Sequence, residues 1–339
     1  MMNETTREFQ KTPAQVAGRR GLGFGILIGG ILLLLVMVIG GLGAYWSVQP
    51  AHLDVSEEAL LRFDGEDVTL KPGVATVSAV MGVAEALLDK PGGYLSNDML
   101  PPGLWMDNTP HWEFGVLTEL RDSVGALRND FSRSQTQSAE NVDLREAESQ
   151  FNFDASSWML PSTEGEYRRG LAALQRYMNA LMSGTDRSAQ FHTRADNLTA
   201  YLQVVEKRLG SYAQSLSASV GDTELTAALV LQSAPSLDQT AWDQIDDIFY
   251  EARGYSWALL HTMQALAIDF ADVLADKNAQ RSLQQVLRDL QGASLPKWSP
   301  IVLNGHGYGL FSNHSLVMGS YISRANAAVI DLRVLLERG

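Results

Sequence analysis

The sequence contains no cysteine, so no disulfide braces the fold and no lipid can be attached through a Cys. Basic residues are scarce, with 26 Lys+Arg against 39 Asp+Glu. Neutralising phosphates needs clustered cations, so this deficit argues against a nucleic-acid-binding domain. Between Gly21 and Leu53 there is no Asp, Glu, Lys or Arg at all. Period-two alternation is almost missing and no fixed repeat is present, which leaves sheets and solenoids without a pattern to build on. HExxH, CxxC and EF-hand spacings do not occur, and the six histidines (His52, His111, His192, His261, His306 and His314) are scattered. No Gly-x-Ser-x-Gly elbow presents a nucleophile. The residues therefore nominate no catalytic group, no metal site and no cofactor.

What is present is first an apolar run. As a helix, Gly21–Trp46 is about 39 Å long, more than a hydrocarbon core of about 30 Å requires. Arg19 and Arg20 abut its start, and Asp54, Glu57 and Glu58 follow its end. The positive-inside rule then keeps the N-terminus in the cytoplasm and exports the rest. Tyr45 and Trp46 stand where interfacial aromatic anchors are expected. A cleaved signal peptide is the competing reading, but its apolar region usually runs about 7–15 residues. The run here is longer and Gly41-Leu42-Gly43 is a marginal cleavage signal, so an uncleaved anchor is expected. Gly21, Gly25 and Gly29 fall four apart on one helix face, a spacing that lets two membrane helices approach and form a homo-oligomer. The preferred account is that glycine is simply common in membrane helices, since this face lies near the cytoplasmic end.

Residues 1–46 carry four basic and two acidic side chains, net +2, and the remainder 22 against 37, net −15. Anionic headgroups repel an acidic domain, so the exported part is expected to stand off the bilayer on a linker. The expected organisation is a cytoplasmic tail (1–20), a transmembrane helix (21–46), a linker (47–73) and an exported all-helical domain (74–339). Asp64-Gly65 and Pro72-Gly73 give the linker turn signals, with a short extended piece at Val68–Leu70.

Past the linker the helical period dominates. Val74–Leu88 is a small-residue helix stopped by Pro91-Gly92-Gly93. Tyr94–Pro110 is irregular yet rich in apolar residues, which places it against the core. Trp112, Val116, Leu117, Leu120, Val124 and Leu127 share one face. The polar tract Ser132–Ser138 reads as an extension or bend of that helix. Thr163 with Glu166 makes a capping box for a helix stopped at Ser183-Gly184, and Ser236 with Gln239 makes a second. The second opens the longest pattern, Ile245 to Val273, suited to a central bundle helix. Arg281–Leu290 continues it or turns back, and a last helix spans Ser315–Glu337. The fold class is all-α, a membrane helix followed by a bundle of long helices.

The most unusual stretch runs from Asn304 to Ser315. Its three alternating glycines precede a helix, and a Gly-rich loop at a helix N-terminus can hold an anion while His306 and His314 move protons. Asn304, His306, Tyr308, Asn313 and His314 are the candidate ligand-binding residues. The alternative is a tight ordered connection in which Asn313 or Ser315 caps the next helix. His261 and Asp269, eight apart in the long helix, form a second candidate pair, for which a hydrogen-bonded core role is the competing account.

Several strings resemble a known family: Leu88–Asp98 (LDKPGGYLSND), Trp112–Val116 (WEFGV), Ser132–Ser138 (SRSQTQS), Trp158–Ser162 (WMLPS) and Ser323–Arg333 (SRANAAVIDLR). With the single N-terminal anchor they are similar to the proteobacterial inner-membrane family known as domain of unknown function 2333. The resemblance runs from about residue 20 to the end and implies a Gram-negative envelope protein with a periplasmic domain. It supplies no catalytic residues. The functional expectation is an envelope interaction or scaffolding protein with an envelope protein partner and the lipid bilayer as its contacts. The alternative is a periplasmic enzyme or small-ligand binder working through the loop 304–315.

Overall fold

Helix α1, Ala14–Trp46, contains the segment Gly25–Trp46, long and apolar enough to cross a membrane and with none of its length buried inside the protein. A computed structural model describes residues 14–63, 70–133, 140–184, 186–217, 244–295, 297, 299, 301–305 and 312–338, with side chains from residue 25 onward. Among these residues the chain is all-α and holds no strand. After α1 come α2 (Val55–Leu61), α3 (Val74–Asp89), α4 (Asn108–Ala126, ending in a π turn to Phe131), α5 (Val142–Phe151), α6 (Thr163–Ser183), α7 (Ala195–Ser217), α8 (Ile245–Asp269), α9 (Ala271–Asp276), α10 (Gln280–Ala293) and α11 (His314–Glu337).

α8 is the central helix the long apolar pattern called for. It packs on α4 most extensively and also touches α2, α3, α7, α10 and α11. Trp257, Tyr255, Leu259 and Met263 have no exposed surface, since neighbours cover α8 on every side. Glycine sets how close α4 comes. A Cβ at Gly115 would lie 2.0 Å from the Glu251 carbonyl oxygen, and one at Gly254 2.0 Å from the Trp112 carbonyl oxygen. Backbone thus meets backbone from both sides of the crossing.

The pattern breaks where local chemistry outcompetes it. α8 stops at Asp269 and Phe270 leaves helical geometry, so Val273 falls in the separate α9. The chain then turns back through Asn278, whose φ is +54°, into α10. At the start of α6 the cap is Ser162, which accepts from the Gly165 N–H, and not Thr163. The Thr163 hydroxyl instead donates to the carbonyls of Asp154 and Ser157. Gly184 in the left-handed conformation ends α6 as expected. The Ser236/Gln239 box, the Asp64-Gly65 turn and most of the tracts 68–70 and 132–138 lie outside the described residues.

The segment from Ser47 to Phe63, read as linker, packs on the bundle. Asp54 caps α2 by accepting from the N–H groups of Ser56 and Glu57. Val55 and Ala59 are buried against α3 and α8, and Arg62 forks onto Glu85 of α3 at 3.0 and 2.6 Å. Two bonds bring the same segment to α8. Arg253 Nε donates to Gln49 Oε1 at 2.6 Å, and the Leu53 N–H donates to His261 Nε2 at 3.0 Å.

The irregular stretch 94–110 divides. Tyr94 and Leu95 are buried as its apolar content suggested, but Met99, Leu100, Leu104 and Trp105 point outward.

Candidate functional site

The chain between α10 and α11 builds the site. The guanidinium of Arg253, buried in α8, donates to the carbonyls of Ser294 (2.9 Å) and Leu295 (2.6 Å), which fixes the end of α10. Lys297 follows, its Nζ donating to the Ser299 carbonyl and lying 5.2 Å from the centre of the Tyr250 ring. Ser294 and Lys297 stand at Ser-x-x-Lys spacing, but the Ser294 hydroxyl donates to the Leu290 carbonyl in its own helix. That geometry leaves no base on the hydroxyl.

Residues 303–305 and 312–314 then zip together. Asn304 and Asn313 form an isolated antiparallel bridge, the His314 N–H donates to the Leu303 carbonyl at 2.8 Å, and Gly305 N–H to the Ser312 carbonyl at 3.1 Å. Asn313 is buried and uses both ends of its amide. Nδ2 donates to the Gly305 carbonyl (2.8 Å) and Oδ1 accepts from the Leu316 N–H (2.9 Å), capping α11. The capping role expected of Asn313 or Ser315 falls to Asn313.

His314 Nδ1 accepts from the Leu303 N–H at 2.9 Å, so the proton of the neutral ring sits on Nε2. Burial, and secondarily the charge of Lys297, lowers its pKa and favours that neutral form. Of the candidate residues the structure brings together Asn304, Asn313 and His314. Asn304 takes part through its backbone, with its side chain exposed. His306 and Tyr308 lie outside the described residues.

Beside His314 lies a cleft of about 520 Å³, bounded by Phe249 and Arg253 of α8, Leu295, Lys297 and Leu303 of the connection, and Val317, Met318 and Tyr321 of α11. A Cβ at Gly292 would meet the Tyr321 ring at 2.3 Å, so α10 and α11 close tightly at one wall. Among the described residues the lining is mainly apolar, and its polar groups are the Lys297 ammonium, the His314 imidazole, the Arg253 guanidinium, Ser299, Ser312 and Tyr321. Of the candidate loop residues that the structure describes, His314 lines this cleft and Asn304 and Asn313 do not. The helix side was visible only as an arginine in an apolar run, because which face of α8 the connection crosses is a tertiary fact.

The His261/Asp269 pair separates into two structural roles. His261 accepts from Leu53, as above. Asp269 Oδ2 accepts from the backbone N–H (2.8 Å) and hydroxyl (2.6 Å) of Thr76, which satisfies the start of α3 from a different helix. Burial lowers the pKa of His261 to about 4 and raises that of Asp269. A third buried group, Glu119 of α4, accepts from Ser123 Oγ and Tyr201 OH, both at 2.6 Å, through one oxygen. Burial pushes its pKa up to about 7. Lys90 and Glu113 form a buried pair at 2.5 Å, and Glu113 also accepts from the N–H groups of Leu95 and Ser96. Buried charge here ties helices and turns together. Among the described residues no group of three or more His, Asp or Glu side chains is close enough to hold a metal ion.

Gly25 and Gly29 of α1 have nothing within 4 Å of a Cβ built on them, and Gly21 lies in the same helix where side chains are not described. No curated protein and no solved structure matches the chain. One family profile does, over residues 20–339, so that α1 from Arg20 onward, the bundle and the α10–α11 connection fall within it: the chain belongs to the family described as "uncharacterized protein conserved in bacteria (DUF2333)".

Proposed function

We propose that this chain is a single-pass inner-membrane protein of the Gram-negative envelope that acts as an interaction or scaffolding protein. Its N-terminus lies in the cytoplasm and its helical domain in the periplasm. The observation that carries the reading is the joint between the exit of α1 and the middle of α8, made by Gln49 with Arg253 and Leu53 with His261. A bundle held this way keeps one pose relative to its anchor, which a surface presented to an envelope partner requires. The charge step from net +2 to net −15 across the apolar run supports the orientation. Self-association through the open face of Gly25 and Gly29 belongs to the same reading.

Crosslinking in intact membranes at native expression tests it. Capture of a specific envelope protein is the expected result, and recovery of the chain alone would overturn the proposal. Orientation is read separately by a cysteine introduced at Val204, which a membrane-impermeant thiol reagent should label from the periplasmic side.

The cleft favours a second reading, a binder of small amphipathic ligands. Its apolar walls suit an alkyl chain, and Lys297 with the His314 Nε2–H suits an anionic head. An alkyl carboxylate should then raise the melting temperature more than an alkyltrimethylammonium of equal length. Equal shifts would sink this reading.

A further inference from the structure

The outward-facing apolar residues of the loop 99–106 do not stand alone. A second loop, 155–162, exposes Trp158, Met159 and Leu160, the last 91% exposed. The two are fastened side by side, because Asn97 Nδ2 donates to the Ser157 carbonyl and to Glu164 Oε2, both at 2.9 Å, and Tyr94 OH to the Ala155 carbonyl at 2.9 Å. Neither MLPPGLWM (99–106) nor ASSWMLPS (155–162) contains a charged residue, in a domain that is otherwise strongly acidic. Of the flanking acids, Asp107 accepts from the Asn108 N–H and Asp154 from Ser156, while the Asp98 carboxylate packs beneath Gly103.

Position says what covers this patch. Pro102 lies 3.6 Å from a Cβ built on Gly43, and the Trp46 ring packs 2.7 Å from one built on Gly92. Ile39, Gly43 and Trp46, spaced four and three apart, are the half-covered face of an otherwise exposed apolar helix. The loop 99–106 therefore reaches alongside α1 to the level of Gly43, about 5 Å inside the end of the apolar segment. A bilayer that accommodates Gly25–Trp46 must surround whatever sits at that level. Exposed apolar patches of this kind, with tryptophans at the margin, mark membrane contact.

We propose that the loops 99–106 and 155–162 form a seat by which the domain dips into the leaflet where α1 ends, with the lipid bilayer as its partner. This rests on the membrane-anchor reading above. It also replaces an acidic domain standing off the surface with one whose charge-free face meets the lipid, while its acidic remainder is turned away.

The test uses the full chain, which has no native cysteine, reconstituted in phosphatidylcholine vesicles with brominated acyl chains. A polarity-sensitive fluorophore is placed in turn on Leu33→Cys, Leu104→Cys, Leu160→Cys and Val204→Cys, all at exposed side chains. The expected result is blue-shifted emission quenched by bromine at Leu33, Leu104 and Leu160, and neither effect at Val204. If Leu33 is quenched while Leu104 or Leu160 emits as Val204 does, the seat is wrong and the anchor stands. An unquenched Leu33 removes the anchor itself. A blue shift at Leu104 and Leu160 without bromine quenching would mean that protein covers the patch, and would overturn the proposal.

Discussion

The imidazole of His261, at the middle of α8, accepts a hydrogen bond from the main-chain N–H of Leu53 at 3.0 Å. The contact needs an unprotonated Nε2, and burial keeps it so by lowering the pKa to about 4, with the neighbouring His52 adding to the effect. Unfolded, the ring titrates near its ordinary value of 6.5. The unfolded chain therefore binds the extra proton, and stability is present in full above about pH 6.5 and lost as the pH falls toward 4. The loss is on the order of 3 kcal/mol. In His261→Gln this acid limb should vanish, which urea melts at pH 7 and pH 4.5 would reveal. An equally steep limb in the variant would assign it to other groups.

Glu119 pulls the other way in the same window. Its carboxyl is fully buried, one oxygen accepts two hydrogen bonds, and Oε2 has no hydrogen-bond partner among the described residues. With the folded pKa raised to about 7 from 4.5, the neutral acid is the form the fold prefers. Its contribution is complete below about pH 4.5 and lost as the pH climbs through 7, again by roughly 3 kcal/mol at most. Glu119→Gln should leave stability at pH 4 nearly unchanged and raise it at pH 8. A destabilised variant at pH 8 would show that the carboxylate is accommodated as a charge.

These two groups also mark the limit of what the sequence discloses. Helix positions were readable because burying one face leaves a 3.6-residue trace, as in Val116, Leu120 and Val124 of α4 or Phe249, Ala252 and Leu259 of α8. Of the candidate site, a cap at Asn313 or Ser315 was readable, since such residues ahead of a helical pattern commonly cap it, and the structure gives the role to Asn313. The partner of His261 was not, because Leu53 lies 208 residues away and donates through its backbone, which carries no side-chain signature. Apolar character likewise placed Tyr94 and Leu95 correctly but not Leu104 and Trp105, since hydrophobicity alone does not say which side chains of an irregular stretch face inward. The linker was misplaced for a related reason. Asp54, Glu57 and Glu58 look like solvated spacer, yet Asp54 caps a helix whose other face, Val55 and Ala59, is buried.

The α4–α8 crossing predicts a severe effect from a single methyl group. At Gly254 the added Cβ would meet the Trp112 carbonyl oxygen at 2.0 Å, a backbone atom that cannot rotate away. Gly254→Ala must push the helices apart, at a cost of about 3 kcal/mol or more. Gly115→Ala, 2.0 Å from the Glu251 carbonyl oxygen, should cost a similar amount. Because both clashes are relieved by the same separation, the double variant should be clearly less destabilised than the sum of the singles. Additive losses in denaturant melts would refute a shared interface.

Gly25 makes a contrasting case in the same chain. A Cβ at this position would have no neighbour within 4 Å, so Gly25→Leu meets no obstacle inside the protomer and should leave the melting of the bundle unchanged. Its effect is confined to whatever another helix finds on that face. Self-association in membranes is expected to weaken several-fold, in line with the roughly 1 kcal/mol scale of packing between membrane helices. An oligomer of unchanged strength in a crosslinking titration would exclude the face.

Arg253 is where the anchor, the cleft and the core meet. Its Nε reaches Gln49 at 2.6 Å, Nη1 the Leu295 carbonyl at 2.6 Å and Nη2 the Ser294 carbonyl at 2.9 Å, all from a side chain that is 6% exposed. Arg253→Lys retains the charge but not the planar fork, and one ammonium cannot span three acceptors set by three directions. Bonds to a charged group contribute about 1.5–3 kcal/mol each, so the loss should be on the order of 3 kcal/mol. Location matters more than size here. Hydrogen exchange should quicken together around residues 47–53 and 294–295, while amides at the α4–α8 crossing keep their protection. Quickening on one flank alone would mean that the exit of α1 and the wall of the cleft are held independently, and the joint assigned to Arg253 would be two separate attachments.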